Sequence, residues 1–142
     1  MQHAPNEVVF RRVVDAVNAH DEQLIAAAVD DAFHRNVCIG TPLPVRTTGV
    51  QALHDVFTTL CRAFPDLRLN IEDVITDNDK LVFRLSVTGT NLGDHLGRAP
   101  TGRRVRYDEI FIFRVAGGRI TEMWGVVDAL TLMKQLGHLP SS

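Results

Sequence analysis

The apolar positions of this 142-residue chain change their period partway along it. Up to Pro65 they recur every three or four residues; beyond it they alternate, so helices are expected first and strands afterwards. From Glu7 to about Ala19, the residues Val8, Val9, Val13, Val14 and Val17 form one stripe, with Arg11, Arg12 and Asp15 among the polar positions between them. Asp21 stands three residues ahead of the run Leu24, Ile25, Ala28 and Val29, where it can cap a second, shorter helix. The segment FHRNVCIG reads as a short strand or extended piece ended by Gly40 and Pro42. Pro44 and Gly49 bracket a loop, after which Leu53, Val56, Phe57, Leu60 and Phe64 trace a third helix that Pro65 terminates.

The second half alternates with period two in LRLNIEDVI, KLVFRLSVTGTN, RRVRYDEIFIFRV and RITEMWGVVD. Asp77, Asn78 and Asp79 make the first hairpin turn and Gly117-Gly118 the last, while NLGDHLGRAPTG between them reads as an irregular connection. A closing helix starts at Ala129, and Asp128 before it is either its cap or a catalytic acid. Grouped helices and a four-strand antiparallel meander specify an α+β fold in which a curved sheet packs over the N-terminal helices. Such a cone is closed on one side and leaves a central apolar pocket opening on the other.

Composition narrows the function classes. The apolar fraction of 45% suits one core, so a single domain spanning 1–142 is expected. The formal charge of -2 comes from 15 basic and 17 acidic residues with no basic block, so neither nucleic acid nor a membrane surface is an expected partner. Cys38 and Cys61 lie far apart without CxxC spacing and read as buried free thiols in a reducing setting. With no signal-like apolar segment and no run long enough to span a bilayer, a cytoplasmic protein is expected. The glycines lack GxGxxG spacing and the histidines lack metal-ligand spacing, so neither a cofactor nor a metal is expected.

One acid stands out. Glu109 is in phase with Tyr107, Phe111 and Phe113, so all four share a sheet face, with Met123 on the next strand. A carboxyl among such neighbours is poorly hydrated; its pKa rises, and it can take a proton from a carbon beside a carbonyl or activate a water. The opposing reading puts Glu109 at the rim, paired with Arg84 or Arg103. Tyr107 can donate a hydrogen bond to a substrate oxygen or simply fill space. His34, with Asn36 and Cys38 on one strand face, and His54, about 60° from its helical stripe, are either pocket-lining or boundary residues. His95, in the GDHLG loop, is either a gate or a solvated loop residue, and His3, His20 and His138 look terminal or exposed. Trp124, with Ile110 and Ile112, falls on the other face of the sheet.

The segments AFPDLRLNIEDVI, the TGT turn, the PTGRRV lead into the long strand, the FRV..GRI hairpin and the ending MWGVVDALTLMKQLGHLP closely resemble the SnoaL-like polyketide cyclase (ester cyclase) group of the NTF2-like superfamily. The resemblance runs from about Glu7 to Pro140. It implies a homodimer formed through the outer sheet face, and a cofactor-free intramolecular aldol closure driven by an aspartate on the last strand and a histidine on the strand before. Those two positions fall on Gly125 and Phe111 here, so both side chains are absent. The resulting expectation is a cofactor-independent enzyme of secondary metabolism that cyclises, isomerises or hydrolyses a hydrophobic carbonyl compound. Glu109, Tyr107 and His34 would be its catalytic groups. Asn36, His54, Phe111, Phe113, Met123, Gly125 and Val127 would bind substrate, with Gly125 leaving room for a larger ligand. The alternatives are a non-catalytic NTF2-like binding or assembly protein, and an epoxide hydrolase in which His34 or Asn36 converges with Glu109 on one water.

Overall fold

The computed structural model describes residues 5–139, so His3 lies outside the described residues. Helix α1 (Pro5–Asn18) buries Phe10, Val13, Val14 and Val17, the spacing of one helical face. Helix α2 (Glu22–Ala32) starts where expected, with the Asp21 carboxylate accepting from the amides of Gln23 (3.0 Å) and Leu24 (3.1 Å). It runs directly into strand β1 (Phe33–Ile39), and a loop then leads to α3 (Gly49–Ala63). The strands β2 (Arg68–Asp77), β3 (Lys80–Thr90), β4 (Arg104–Ala116) and β5 (Arg119–Val127) follow, and α4 (Ala129–Leu136) closes the chain.

These strands form one five-stranded sheet in the order β1-β5-β4-β3-β2. The meander from β2 to β5 is antiparallel, but β1 joins the free edge of β5 in parallel, so the sheet is mixed. The cause is connectivity: β1 leads into α3 rather than a hairpin, and a strand freed of its sequence neighbour can pair in either sense. Thr88, Gly89 and Thr90 prolong β3 instead of turning. A Cβ on Gly89 would lie 3.0 Å from Cβ of Phe64, so the glycine lets the end of α3 sit against the sheet.

The core is tightest where α1 crosses the sheet. The rings of Phe10, Phe33, Phe83 and Phe113 pack with centroids 4.7–6.5 Å apart, mostly edge-to-face or tilted, which closes that end of the cone. At the opposite end β4 outruns β5, whose last pair is Glu109 with Val127. The uncovered backbone of β4 finds other partners. Asp108 O accepts from Asp128 N (2.9 Å), and the Gln135 side-chain amide both accepts from Arg106 N (2.7 Å) and donates to Arg106 O (2.9 Å). Asp128 caps α4 by accepting from Thr131 N (3.0 Å) and Thr131 Oγ1 (2.6 Å), so the last helix folds back across β4. Helix α3 packs chiefly on β1 and α2 rather than on the middle strands, and its Val56, Phe57 and Leu60 remain only partly buried.

Candidate functional site

Glu109 lies on the inner face of β4 at the end where β5 stops. Its neighbours along the strand are Tyr107 and Phe111, and its cross-strand partners are Leu85 and Val127. Leu85, Tyr107 and Phe111 are all buried, and Glu109 itself is partly buried. Among the described residues its carboxylate has no ion pair and no hydrogen bond. Arg84, opposite Ile110, belongs to the other face, and Arg103 donates instead to Gln135 O (3.3 Å), so the rim pairing does not form. Loss of hydration therefore acts unopposed and pushes the Glu109 pKa up to about 7. Burial, and then the charge of Glu109, push the Tyr107 phenol upward too, so it stays protonated throughout the neutral range. The pair sets a carboxyl of raised pKa one strand repeat from a neutral phenol hydroxyl.

The other expected site residues separate into two groups. Phe111, Gly125 and Val127 stay with Glu109 through the β4–β5 register. Phe113 and Met123 are buried one pair further along; Phe113 is part of the closed aromatic core rather than a cavity wall. His34 and Asn36 are exposed, with His34 Nδ1 accepting from Asn36 N (3.0 Å), so they do not converge with Glu109. The alternation of β1 explains this, because Phe33 and Val37 take the buried side and the intervening even-numbered residues take the other. His54 on α3 is engaged with Asp30 of α2 at 2.7 Å, tying two helices together.

Gly125 leaves no room for ligand. Its φ is +154°, and a Cβ there would stand 2.2 Å from Ile110 O and 2.8 Å from Cδ1 of Phe111. The space is taken by the neighbouring strand and its ring. His95 is also not a solvated loop residue: it is 5% exposed, between Phe64 (5.7 Å between ring centroids) and a stacked His138 (6.4 Å), and burial holds its pKa below the usual imidazole range. Cys38 is exposed and Cys61 partly buried, both free, which corrects the expectation of two buried thiols. Among the described residues no group of three or more His, Cys, Asp or Glu side chains is placed to hold a metal, and no helix is long and apolar enough to cross a membrane.

Two cavities are resolved away from Glu109. One, of about 410 Å³, is a groove between α1 and α2 with Arg12, Asp15 and Asp31 beside alanines and Leu24. The other, of about 330 Å³, lies between β1, the loop after it and the start of α3. Nothing in the sequence periodicity marks the second, because half of its walls come from the irregular loop that carries Thr41, Leu43, Val45, Thr47 and Thr48.

Four helices packed with a curved, mixed five-stranded sheet define an NTF2-like α+β fold. The chain belongs to the SnoaL-like polyketide cyclase family, whose model matches residues 7–136. No curated protein matches it significantly. Among solved structures it is similar to TsrD from Streptomyces laurentii (26% identity, TM-score 0.82, covering 98% of this chain and 99% of that one). It also resembles AclR from Streptomyces galilaeus, a candidate hydroxylase (24% identity, TM-score 0.81, 99% of this chain and 86% of that one). A SnoaL-like polyketide cyclase from Agrobacterium tumefaciens shares the fold at 23% identity and a TM-score of 0.73, covering 96% of this chain and all (100%) of the other.

Proposed function

We propose that this SnoaL-like protein is a cofactor-independent acid–base enzyme acting on a hydrophobic, carbonyl-bearing small molecule, with Glu109 as the proton-transfer group. The observation that carries the reading is the unpaired Glu109 carboxyl, poised near pH 7 beside Tyr107. A base with that pKa takes a proton from the carbon next to a carbonyl, and the C–H electron pair becomes an enolate. The Tyr107 hydroxyl would donate to the enolate oxygen. In a cyclisation the enolate carbon bonds to a second carbonyl of the same molecule, and the new alkoxide takes back the proton that Glu109 holds. In an isomerisation the proton returns to a different carbon. Phe111 and Val127, which stay with Glu109 through the β4–β5 register, would form the apolar wall. Epoxide hydrolysis is not favoured, since neither His34 nor Asn36 reaches Glu109's side of the sheet.

The test follows α-proton exchange of a bicyclic aryl ketone such as 2-tetralone in D2O by ¹H NMR. Wild-type protein is expected to accelerate exchange with a rate that rises through pH 7, and Glu109→Gln to slow it by about 10²-fold or more. A panel of such ketones that bind without accelerated exchange would favour the second reading, a non-catalytic binding protein. The absence of an acid at Gly125 and of a histidine at Phe111 favours that alternative. We also propose a homodimer through the outer sheet face, where Ile110, Ile112, Trp124 and Val126 are exposed together on β4 and β5.

A further inference from the structure

The 330 Å³ cavity beside α3 has the features of a second ligand site. Val37 and Ile39 of β1, Leu43 and Val45 of the following loop, and Ala52 of α3 give it an apolar wall. Thr41, Thr47, Thr48 and Gly49 supply its polar side. Thr41 is only 5% exposed, and its Oγ1 has no hydrogen-bond partner among the described residues. A buried hydroxyl left in that state is uncommon and costs about 1–3 kcal/mol, so a group that engages it gains by doing so.

The start of α3 points to the same chemistry. Thr48 stands at the cap position, yet its side chain makes no capping hydrogen bond, and the first turn holds no acidic residue. The first turn of this 15-residue helix therefore lacks a side-chain cap, and Thr48 and Gly49 at its start line the cavity, which lies at the positive end of the helix dipole. The helix start is fixed in place, since a Cβ on Gly49 would stand 2.5 Å from Arg35 O. Arg46 lies between Val45 and Thr47, which both line the cavity, and it is exposed with no ion pair among the described residues. The nearest acid on the helix, Asp55, is already engaged by Thr47 Oγ1 (2.6 Å) and Gln51 Nε2 (2.9 Å), which hold its pKa below the usual carboxylate range.

We infer that this cavity binds a small amphiphilic carboxylate. The carboxylate accepts from the first-turn amides of α3 and from the Thr41 hydroxyl, the short apolar body lies against Val37, Ile39, Leu43 and Val45, and Arg46 adds positive charge at the rim. The volume is at the low end for small-molecule sites, which selects a short chain or a single ring. The site shares no residue with the Glu109 cluster, so occupation of one does not require the other.

Hexanoate serves as the probe, titrated into ¹⁵N-labelled full-length protein, with 1-hexanol as the uncharged control. Saturable shifts are expected at the amides of Thr41 and of Thr48 to Gln51, with hexanol binding about tenfold or more weakly because it lacks the charge. Thr41→Val should weaken hexanoate by about fivefold while leaving urea stability unchanged or higher, since it removes an unpartnered hydroxyl. Arg46→Gln, at an exposed position where folding is not at stake, should weaken hexanoate by about threefold and leave hexanol unaffected. Equal binding of acid and alcohol, shifts that never saturate or lie elsewhere, or unchanged affinity in both variants would overturn the site.

Discussion

Glu109 turns a local environment into a pH dependence with a definite sign. Its folded pKa, about 7, lies above the usual value of 4.5, so between those limits the folded protein binds more protons than the unfolded chain. Stability therefore falls as pH rises from about 5 to 8, by up to a few kcal/mol, because ionisation in the apolar surround is disfavoured. Urea denaturation at the two pH values should show that loss in wild type and a much flatter profile in Glu109→Gln. An equally steep decline in the variant would assign the effect to another group. At Gly125, φ and the 2.2 Å approach to Ile110 O together forbid a side chain. Gly125→Ala should lose about 2–4 kcal/mol in the same assay. Adding Phe111→Ala should not restore that loss, because the Ile110 carbonyl remains in the way. An aspartate placed at Gly125 would thus disrupt the strand before it could act as a base.

At the scale of elements, what could be read from the sequence is what local periodicity encodes. The helical stripes, the Asp21 and Asp128 caps and the alternation of the meander strands all depend on neighbours within a few residues; the caps are found and β3 and β4 alternate, whereas register shifts interrupt the alternation in the β2–β3 and β4–β5 pairs. The phase of Glu109 with Tyr107 and Phe111 was legible for the same reason. Pairings across the fold were not: nothing local in FHRNVCIG says that it runs parallel to β5, or that His34 and Asn36 fall on the exposed side once Phe33 joins the core. Side-chain amides that stand in for backbone are equally silent. Asn18 exchanges two hydrogen bonds with Leu69 (2.9 and 2.8 Å), and Gln135 does the same with Arg106. Fully buried Asn91 donates to Ala63 O (3.3 Å) and Gly93 O (2.9 Å) and accepts from Thr101 N (2.9 Å), pinning the β3–β4 connection to the end of α3. Asn91→Ala strands those groups and should lower stability by about 2–3 kcal/mol. Hydrogen exchange should quicken first at residues 91–102, and uniform quickening across the sheet would contradict a local anchor.

For the whole molecule, the two faces of one sheet divide its tasks. The inner face is consumed by the core and by the Glu109 cluster, whereas the outer face of β4 and β5 leaves Ile110, Ile112, Trp124 and Val126 between 42% and 66% exposed. Four large apolar side chains on adjacent strands form a contiguous patch of the kind that associates. A second copy is the occupant proposed for it, because a two-fold contact sets the same patch against itself and so needs no partner of other composition. Symmetry also sharpens the test, since any substitution enters such an interface twice. Trp124 is a poor choice, because its ring packs over Gly40 where a Cβ would overlap it. Ile112 and Val126 carry their side chains outward, and Ile112→Lys with Val126→Lys places four ammonium groups in one dimer contact. Light scattering after size exclusion should give a dimer for wild type and a monomer for the double variant, with unchanged circular dichroism. The dissociation constant should rise by about 10²-fold or more, since like charges are then desolvated against each other. A monomeric wild type at 100 µM would end the proposal, as would a double variant that remains dimeric.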